Sequence, residues 1–260
     1  MSTVTSADGT TIAYESSGTG PPVILVDGAM CYRGSGPMRG FAAALEQHFT
    51  VYAYDRRGRG ESGDTPPHAV EREIDDLRAL VAEAGGSAYG FGISSGAALL
   101  ITAAAEGVAL SKLALYEPPF VSEADGGDWS RAYTPRLAET LAAGRNGDAI
   151  ALFMTSIGMP AEQVAGMRAQ PFWPVFEAVA PTLAYDNAIL GDSSVPREAA
   201  GAVAVPTLVA AGGASPANLR VAAKATAEAV PGAVHRELPG QTHDASPEVL
   251  GPVLVEFFKG

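Results

Sequence analysis

The sequence predicts an α/β fold: a mostly parallel sheet with helices on both faces and a helical insertion between two of its strands. Three observations predict it. Short continuous apolar runs, "PVILVDG", "TVYAYDRRGRGES", "SAYGFGI" and "VPTLVAAGG", have the composition of strands buried on both faces, as a parallel sheet requires. They alternate with helical stretches, which implies right-handed β-α-β connections. Between residues 121 and 200 that rhythm stops and only helix-like segments appear.

Taken in order, "TTIAYESSG" alternates and ends in Gly18, which reads as an early strand. "PVILVDG" is the next strand, closed by Asp27-Gly28, and "FAAALEQHF" is helical. "TVYAYDRRGRGES" is a buried strand running into a glycine-rich turn. "HAVEREIDDLRALVAEAGG" is an amphipathic helix stopped by Gly85-Gly86. "SAYGFGI" is a strand, "SSGAALLITAAAEG" a helix, and "SKLALYEPP" a strand stopped by Pro118-Pro119. The insertion carries "RAYTPRLAETLAAG", "DAIALFMTSIG" and "AEQVAGMRAQPFWPVFEAVAPTLAY", each helix-like. "VPTLVAAGG", "LRVAAKATAEAV", "AVHRELPG" and "VLGPVLVEFF" then resume the strand-helix rhythm. Residues 1–120 and 201–260 are thus expected to form one core, with 121–200 as a helical cap.

The chain has 260 residues, 47% hydrophobic and 18% charged, enough for one sizeable core. A net charge of −12 without a basic stripe argues against nucleic acid and anionic membranes as partners. The single cysteine, Cys31, excludes an internal disulfide. No apolar run reaches transmembrane length and the first residues lack a signal-peptide pattern, so a cytoplasmic location is expected. No His/Cys/Asp cluster has ligand spacing, so neither metal nor organic cofactor is implied.

Gly92-Ile93-Ser94-Ser95-Gly96 is a G-x-S-x-G between a predicted strand and a predicted helix. That context holds a serine on a tight, strained turn with its Oγ above the sheet edge. The free N–H groups of the helix start point to the same place. Ser94 is the candidate nucleophile, and the Ser95 amide a candidate oxyanion donor. A serine needs a base within hydrogen-bond reach. Of four histidines, His48 sits at a helix end, His68 in a loop and His235 in a late strand; the first two are expected in solvent. Only His243 lies in a loop between the last strand and the final helix.

Several segments together resemble the α/β-hydrolase superfamily over nearly the whole chain. "VILVDG" resembles the strand and loop that supply an oxyanion hole, and "YDRRGRGES" the D-x-R-G-x-G-x-S segment. "GISSG" resembles the nucleophile elbow, and "GQTHDASPEVLGPVLVEFF" the terminal loop with the catalytic histidine. The likeness is greatest to small serine-dependent hydrolases with a helical cap. It implies the α/β-hydrolase fold, His243 as base, and Ala29 and Ser95 as oxyanion donors beside Gly28.

Two departures from the family stand out. The usual acid follows the strand "PTLVAAGG", where this chain has Gly-Gly-Ala-Ser-Pro, with Ser215 in the approximate place. Glu117 ends the strand after the nucleophile, and a right-handed crossover brings those two strand ends to one edge. Certain relatives carry their acid there, so Glu117 is the expected orienter of His243, with Asp244 geometrically awkward. The usual oxyanion-loop His-Gly is here Asp27-Gly28; Asp27 is expected to turn away and bond loop amides. Cys31, outside any elbow, is expected to be a small loop residue. The arginines of Asp55-Arg56-Arg57-Gly58-Arg59 are expected to brace loops by ion pairs rather than bind phosphate.

Met154, Met159, Met167, Phe172, Trp173 and Phe176 crowd the insertion. Most are expected in its core, with Met154, Phe172, Trp173 and Gly28 facing an apolar substrate. The functional expectation is a hydrolase of a carboxylic ester, lactone or thioester of an apolar small molecule, with homodimerisation left open. Two alternatives stand beside it: a cofactor-free lyase, cyclase or acyltransferase on the same site, and a small-molecule binding protein on a hydrolase scaffold.

Overall fold

The computed structural model describes all 260 residues. Its strands are β1 (Ser2–Thr5), β2 (Thr11–Ser17), β3 (Pro22–Val26), β4 (Thr50–Tyr54), β5 (Ala88–Ile93), β6 (Leu110–Tyr116), β7 (Thr207–Gly212) and β8 (Val234–Leu238). They form one eight-stranded sheet in the order β1-β2-β4-β3-β5-β6-β7-β8. β2 pairs antiparallel with β1 and β4. Every other pairing is parallel.

Helices α1 (Met38–Leu45), α2 (Val70–Glu83) and α3 (Ser95–Ala105) follow β3, β4 and β5. Between β6 and β7 lie α4 (Ser122–Asp125), α5 (Asp128–Ala142), α6 (Asn146–Ser156), α7 (Ala161–Arg168), α8 (Trp173–Val179), α9 (Leu183–Leu190) and α10 (Arg197–Ala202). A 3-10 turn spans Ala180–Thr182, and this insertion holds no strand. Helices α11 (Ala217–Ala229) and α12 (Pro247–Lys259) follow β7 and β8. No helix is long and apolar enough to cross a membrane.

Alternate strand residues point to opposite faces, and in the central strands both sets are apolar. Ile24, Val26, Leu113 and Leu115 pack with Leu77, Leu100, Ala200 and Ala222 from α2, α3, α10 and α11. Val23, Leu25, Phe91 and Ala114 pack on the other face with Phe41 of α1 and Leu250 and Phe258 of α12. A third core belongs to the insertion. It joins Tyr133, Ile150, Met154, Trp173 and Leu183 to Met30, which lies in the loop after β3. The insertion is therefore seated on that loop.

Three local features depart from the sequence-based expectation. β1 is a short, exposed edge strand, with too few residues for its period to be read. The helix-like run 161–185 is cut into α7, α8, the 3-10 turn and α9. Pro171 lies between α7 and α8 and Pro181 lies in the turn; a proline supplies no N–H and clashes with the preceding turn. α4 and α10 are too short to show a period.

Candidate active site

Ser94 stands between the end of β5 and the start of α3 with φ 56° and ψ −126°. Such a conformation costs a non-glycine residue about 1–3 kcal/mol, and the packing around it fixes it. Its N–H donates to Tyr116 O at 2.9 Å. A Cβ on Gly92 would sit 2.7 Å from the Gly96 carbonyl carbon, and one on Gly96 would strike the carbonyls of Val26 and Asp27. Both glycines are required because strand, elbow and helix touch through their backbones. Of the four non-glycine residues with positive φ, three lie here: Met30, Ser94 and Glu117.

The β5–β6 register pairs Ile93 with Tyr116, so the next residues, Ser94 and Glu117, leave the sheet side by side. Glu117 is fully buried. Its Oε2 lies 2.7 Å from His243 Nδ1, and its Oε1 accepts the Gly212 N–H at 2.8 Å. A carboxylate only accepts, so Nδ1 carries the proton and the Nε2 lone pair of a neutral ring is left free. The Tyr116 hydroxyl donates to Thr242 O at 2.5 Å, holding the loop that bears His243. Tyr116 and the Gly212 amide were not singled out in the sequence; nothing local marks either. Ser94 Oγ makes no hydrogen bond in this structure, and such contacts commonly form only in the substrate complex.

Gly28 lies against Ser94: a Cβ there would be 3.1 Å from Ser94 Cβ and 3.7 Å from its Oγ. The Ala29 and Ser95 N–H groups donate to no backbone carbonyl. Two unpaired donors beside a strained serine are able to bind an oxyanion. Asp27 corrects the expectation made for it. It is buried, with neither carboxyl oxygen hydrogen-bonded. Both oxygens lie near Gly36, where a Cβ would meet them at 3.1 and 3.2 Å. Burial pushes its pKa up to about 7. Cys31, in the same loop, has a thiol pushed by burial up to about 12, which makes it a poor nucleophile.

The arginines after β4 are buried and ion-paired. Arg56 holds Glu73 and Asp186, Arg57 holds Asp76 and Asp8, and Arg59 holds Asp186. None is free for phosphate. His68 is a correction: its side chain is only 8% exposed, stacked on Tyr185 at 3.9 Å, with Nε2 3.1 Å from Glu73. His48 contacts Lys259 and His235 is exposed on β8.

The expected pocket residues separate. Met154 and Trp173 are buried in the insertion core with Met30, and the Trp173 indole donates to Glu177 at 3.0 Å. Phe172, at the N-terminal cap of α8, is 44% exposed and packs edge-on against Phe176. Ser215 is buried with its hydroxyl unpaired, and no carboxylate stands in its place.

No curated protein matches the sequence. A solved α/β hydrolase from Sphaerobacter thermophilus DSM 20745 is 49% identical over 99% of this chain and 100% of that one, with a TM-score of 0.88. An enol-lactonase from Burkholderia xenovorans LB400 is 22% identical, covering 99% and 100%, with a TM-score of 0.71. A thermophilic esterase from Thermogutta terrifontis is 23% identical, covering 99% and 97%, with a TM-score of 0.70. The last two show the shared fold. The alpha/beta hydrolase family model matches residues 18–250, and the chain belongs to that family.

Proposed function

We propose that this hydrolase cleaves a carboxylic ester, lactone or thioester of an apolar small molecule through an acyl-enzyme on Ser94. The observation that carries the reading is the 2.7 Å contact of Glu117 Oε2 with His243 Nδ1, at the edge where Ser94 is held strained. The 49%-identical relative, itself described as a hydrolase, supports bond cleavage by water. Met30 and Ala29, in the loop after β3, pack on the insertion's apolar cluster, and an apolar wall beside the proposed oxyanion donors favours an apolar substrate.

Ser94 Oγ attacks the carbonyl carbon while His243 Nε2 takes its proton. Glu117 holds the imidazole in the right tautomer and stabilises the imidazolium. The oxyanion accepts hydrogen bonds from the Ala29 and Ser95 amides, each worth about 3–4 kcal/mol in the transition state. Collapse expels the alcohol or thiol, protonated by His243. Water, deprotonated by the same nitrogen, then releases the acid and restores Ser94.

A fluorophosphonate should label the wild type on Ser94. Ser94→Ala should take no label, and Ser95→Ala should keep it, because Ser95 contributes its amide. Turnover of an ester chain-length series should accompany labelling. Label mapped to Ser95 or Cys31 would overturn the assignment. Labelling without turnover of any ester, lactone or thioester would redirect the reading to a cofactor-free lyase, cyclase or acyltransferase, or to a small-molecule binding protein on the same scaffold.

A further inference from the structure

Asp186 lies on α9 of the insertion, 91 residues after Ser95, yet it is 4% exposed and sits beneath the elbow. The Ser95 hydroxyl donates to its Oδ1 at 2.7 Å. Arg56 Nη1 donates to the same oxygen at 2.8 Å, and Arg59 Nη2 reaches both carboxylate oxygens at 2.8 Å. The two arginines do a second thing. Arg56 Nη1 donates to Asp27 O at 3.2 Å, and Arg59 Nη1 to Gly28 O at 2.6 Å and Cys31 O at 3.3 Å.

In a trans, planar peptide the C=O and N–H point in opposite directions. Holding the Gly28 carbonyl on Arg59 therefore turns the Ala29 N–H away from the guanidinium, and that N–H has no acceptor. It lies next to Gly28, the residue in contact with Ser94. The second proposed donor, the Ser95 N–H, is in the residue whose hydroxyl Asp186 holds. One carboxylate thus ties both donor peptides together.

We infer that Asp186 is a positioning residue of the oxyanion hole, acting through Arg59 on the Gly28–Ala29 peptide and through the Ser95 hydroxyl on the Ser95 amide. Stability is a poor account of such a cluster, since buried ion pairs are often no better than apolar replacements. Donors aimed in advance at a developing charge need no reorganisation during reaction, and the planar Arg59 guanidinium, with Nη2 on Asp186 and Nη1 on the Gly28 carbonyl, links the two in a fixed geometry. The insertion thereby contributes a residue to the edge that bears Ser94. The inference rests on the serine-hydrolase reading above.

The test uses the full chain, with p-nitrophenyl butyrate as substrate and an alkyl trifluoromethyl ketone as a probe whose Ser94 adduct carries an oxyanion. Asp186→Asn places an amide N–H₂ against the Arg59 fork. It should lower kcat by roughly 10–100-fold, short of or reaching the loss of one whole donor, with KM within threefold of wild type. Affinity for the ketone should fall by a similar factor, while fluorophosphonate still labels Ser94 to full stoichiometry on long exposure. Arg59→Lys, which cannot span Gly28 O and Asp186 as a fork, should show the same split and carries the test if Asp186→Asn does not fold. Unchanged kcat and ketone affinity in a folded variant would overturn the inference, as would losses that only track the labelled fraction. A wild type that takes no label and turns over no ester overturns the serine-hydrolase reading, and this inference with it; an active wild type with indifferent variants overturns the inference alone.

Discussion

Glu117, the proposed partner of His243, is fully buried, and its two oxygens meet the His243 ring and the Gly212 amide. Glu117→Gln keeps the shape but offers the ring an N–H₂ or a weaker acceptor, favouring the wrong tautomer. We expect kcat to fall by roughly 10³–10⁴-fold with the fold intact, and Ser215→Ala to cost far less; steady-state kinetics beside circular dichroism checks both. Asp27 makes a different prediction. Its pKa of about 7 in the folded chain lies above the ordinary carboxyl value of about 3.9. Below pH 4 or so it is protonated folded and unfolded alike, and contributes no pH dependence. Between about 4 and 7 the unfolded chain ionises first, so stability falls as pH rises, then levels off. The melting-temperature difference between Asp27→Asn and wild type should therefore grow from pH 4.5 to 7 and stay flat above. A difference constant across that range would mean that Asp27 is ionised in the folded protein.

At the scale of elements, the site is a junction of three backbones: the end of β3, the β5–α3 elbow and the end of β6. Gly96 touches the carbonyls of Val26 and Asp27, which cannot move without breaking the sheet end. Gly96→Ala should cost about 1–3 kcal/mol or more, the usual range for overpacking, read as a lower melting temperature. A Cβ on Gly28 would meet Ser94 Cβ at 3.1 Å and the Ile93 carbonyl oxygen at 3.3 Å, a milder crowding than at Gly96. Gly28→Ala should lower the melting temperature less than Gly96→Ala and reduce fluorophosphonate labelling and ester turnover at least about tenfold, since one ångström of misplacement can cost a hundredfold. Equal effects of the two substitutions on stability would show that the loop after β3 is not free to adjust.

Across the whole molecule, the insertion is fastened to the core by apolar, ionic and hydrogen-bonded contacts. Met30 enters the insertion's apolar cluster, and Asp186 enters the buried arginine cluster beneath the elbow. Tyr185 adds a hydroxyl bond to Asp64 at 2.6 Å and its stack on His68. Freeing the insertion would leave Arg59 without its carboxylate and Arg56 with Glu73 alone, and breaking a buried ion pair costs about 3–5 kcal/mol. Core and insertion should therefore melt together. Calorimetry should show one transition, coincident with the loss of Ser94 labelling. An early, separate transition of the insertion would show that these contacts do not bind the two parts into one cooperative unit.

Local pattern carried much of this protein. Apolar runs alternating with helical stretches are enough for a doubly covered parallel sheet, because burial on both faces leaves no polar period. Gly92-Ile93-Ser94-Ser95-Gly96 is readable because its spacing answers a local steric demand. Glu117 was reachable because adjacent parallel strands must end at one edge, which makes two distant residues neighbours by topology alone. Other features were decided only in three dimensions. Asp186 in "LAYDNAIL" carries no local mark, and it matters because α9 folds back onto the elbow. The burial of Asp27 and His68 was likewise illegible, since each is covered by segments far along the chain or by loop packing that no period encodes. Sequence spacing reports what a residue's own helix or strand requires of it; which charged group meets which is settled when separate elements close on one another and water is excluded between them.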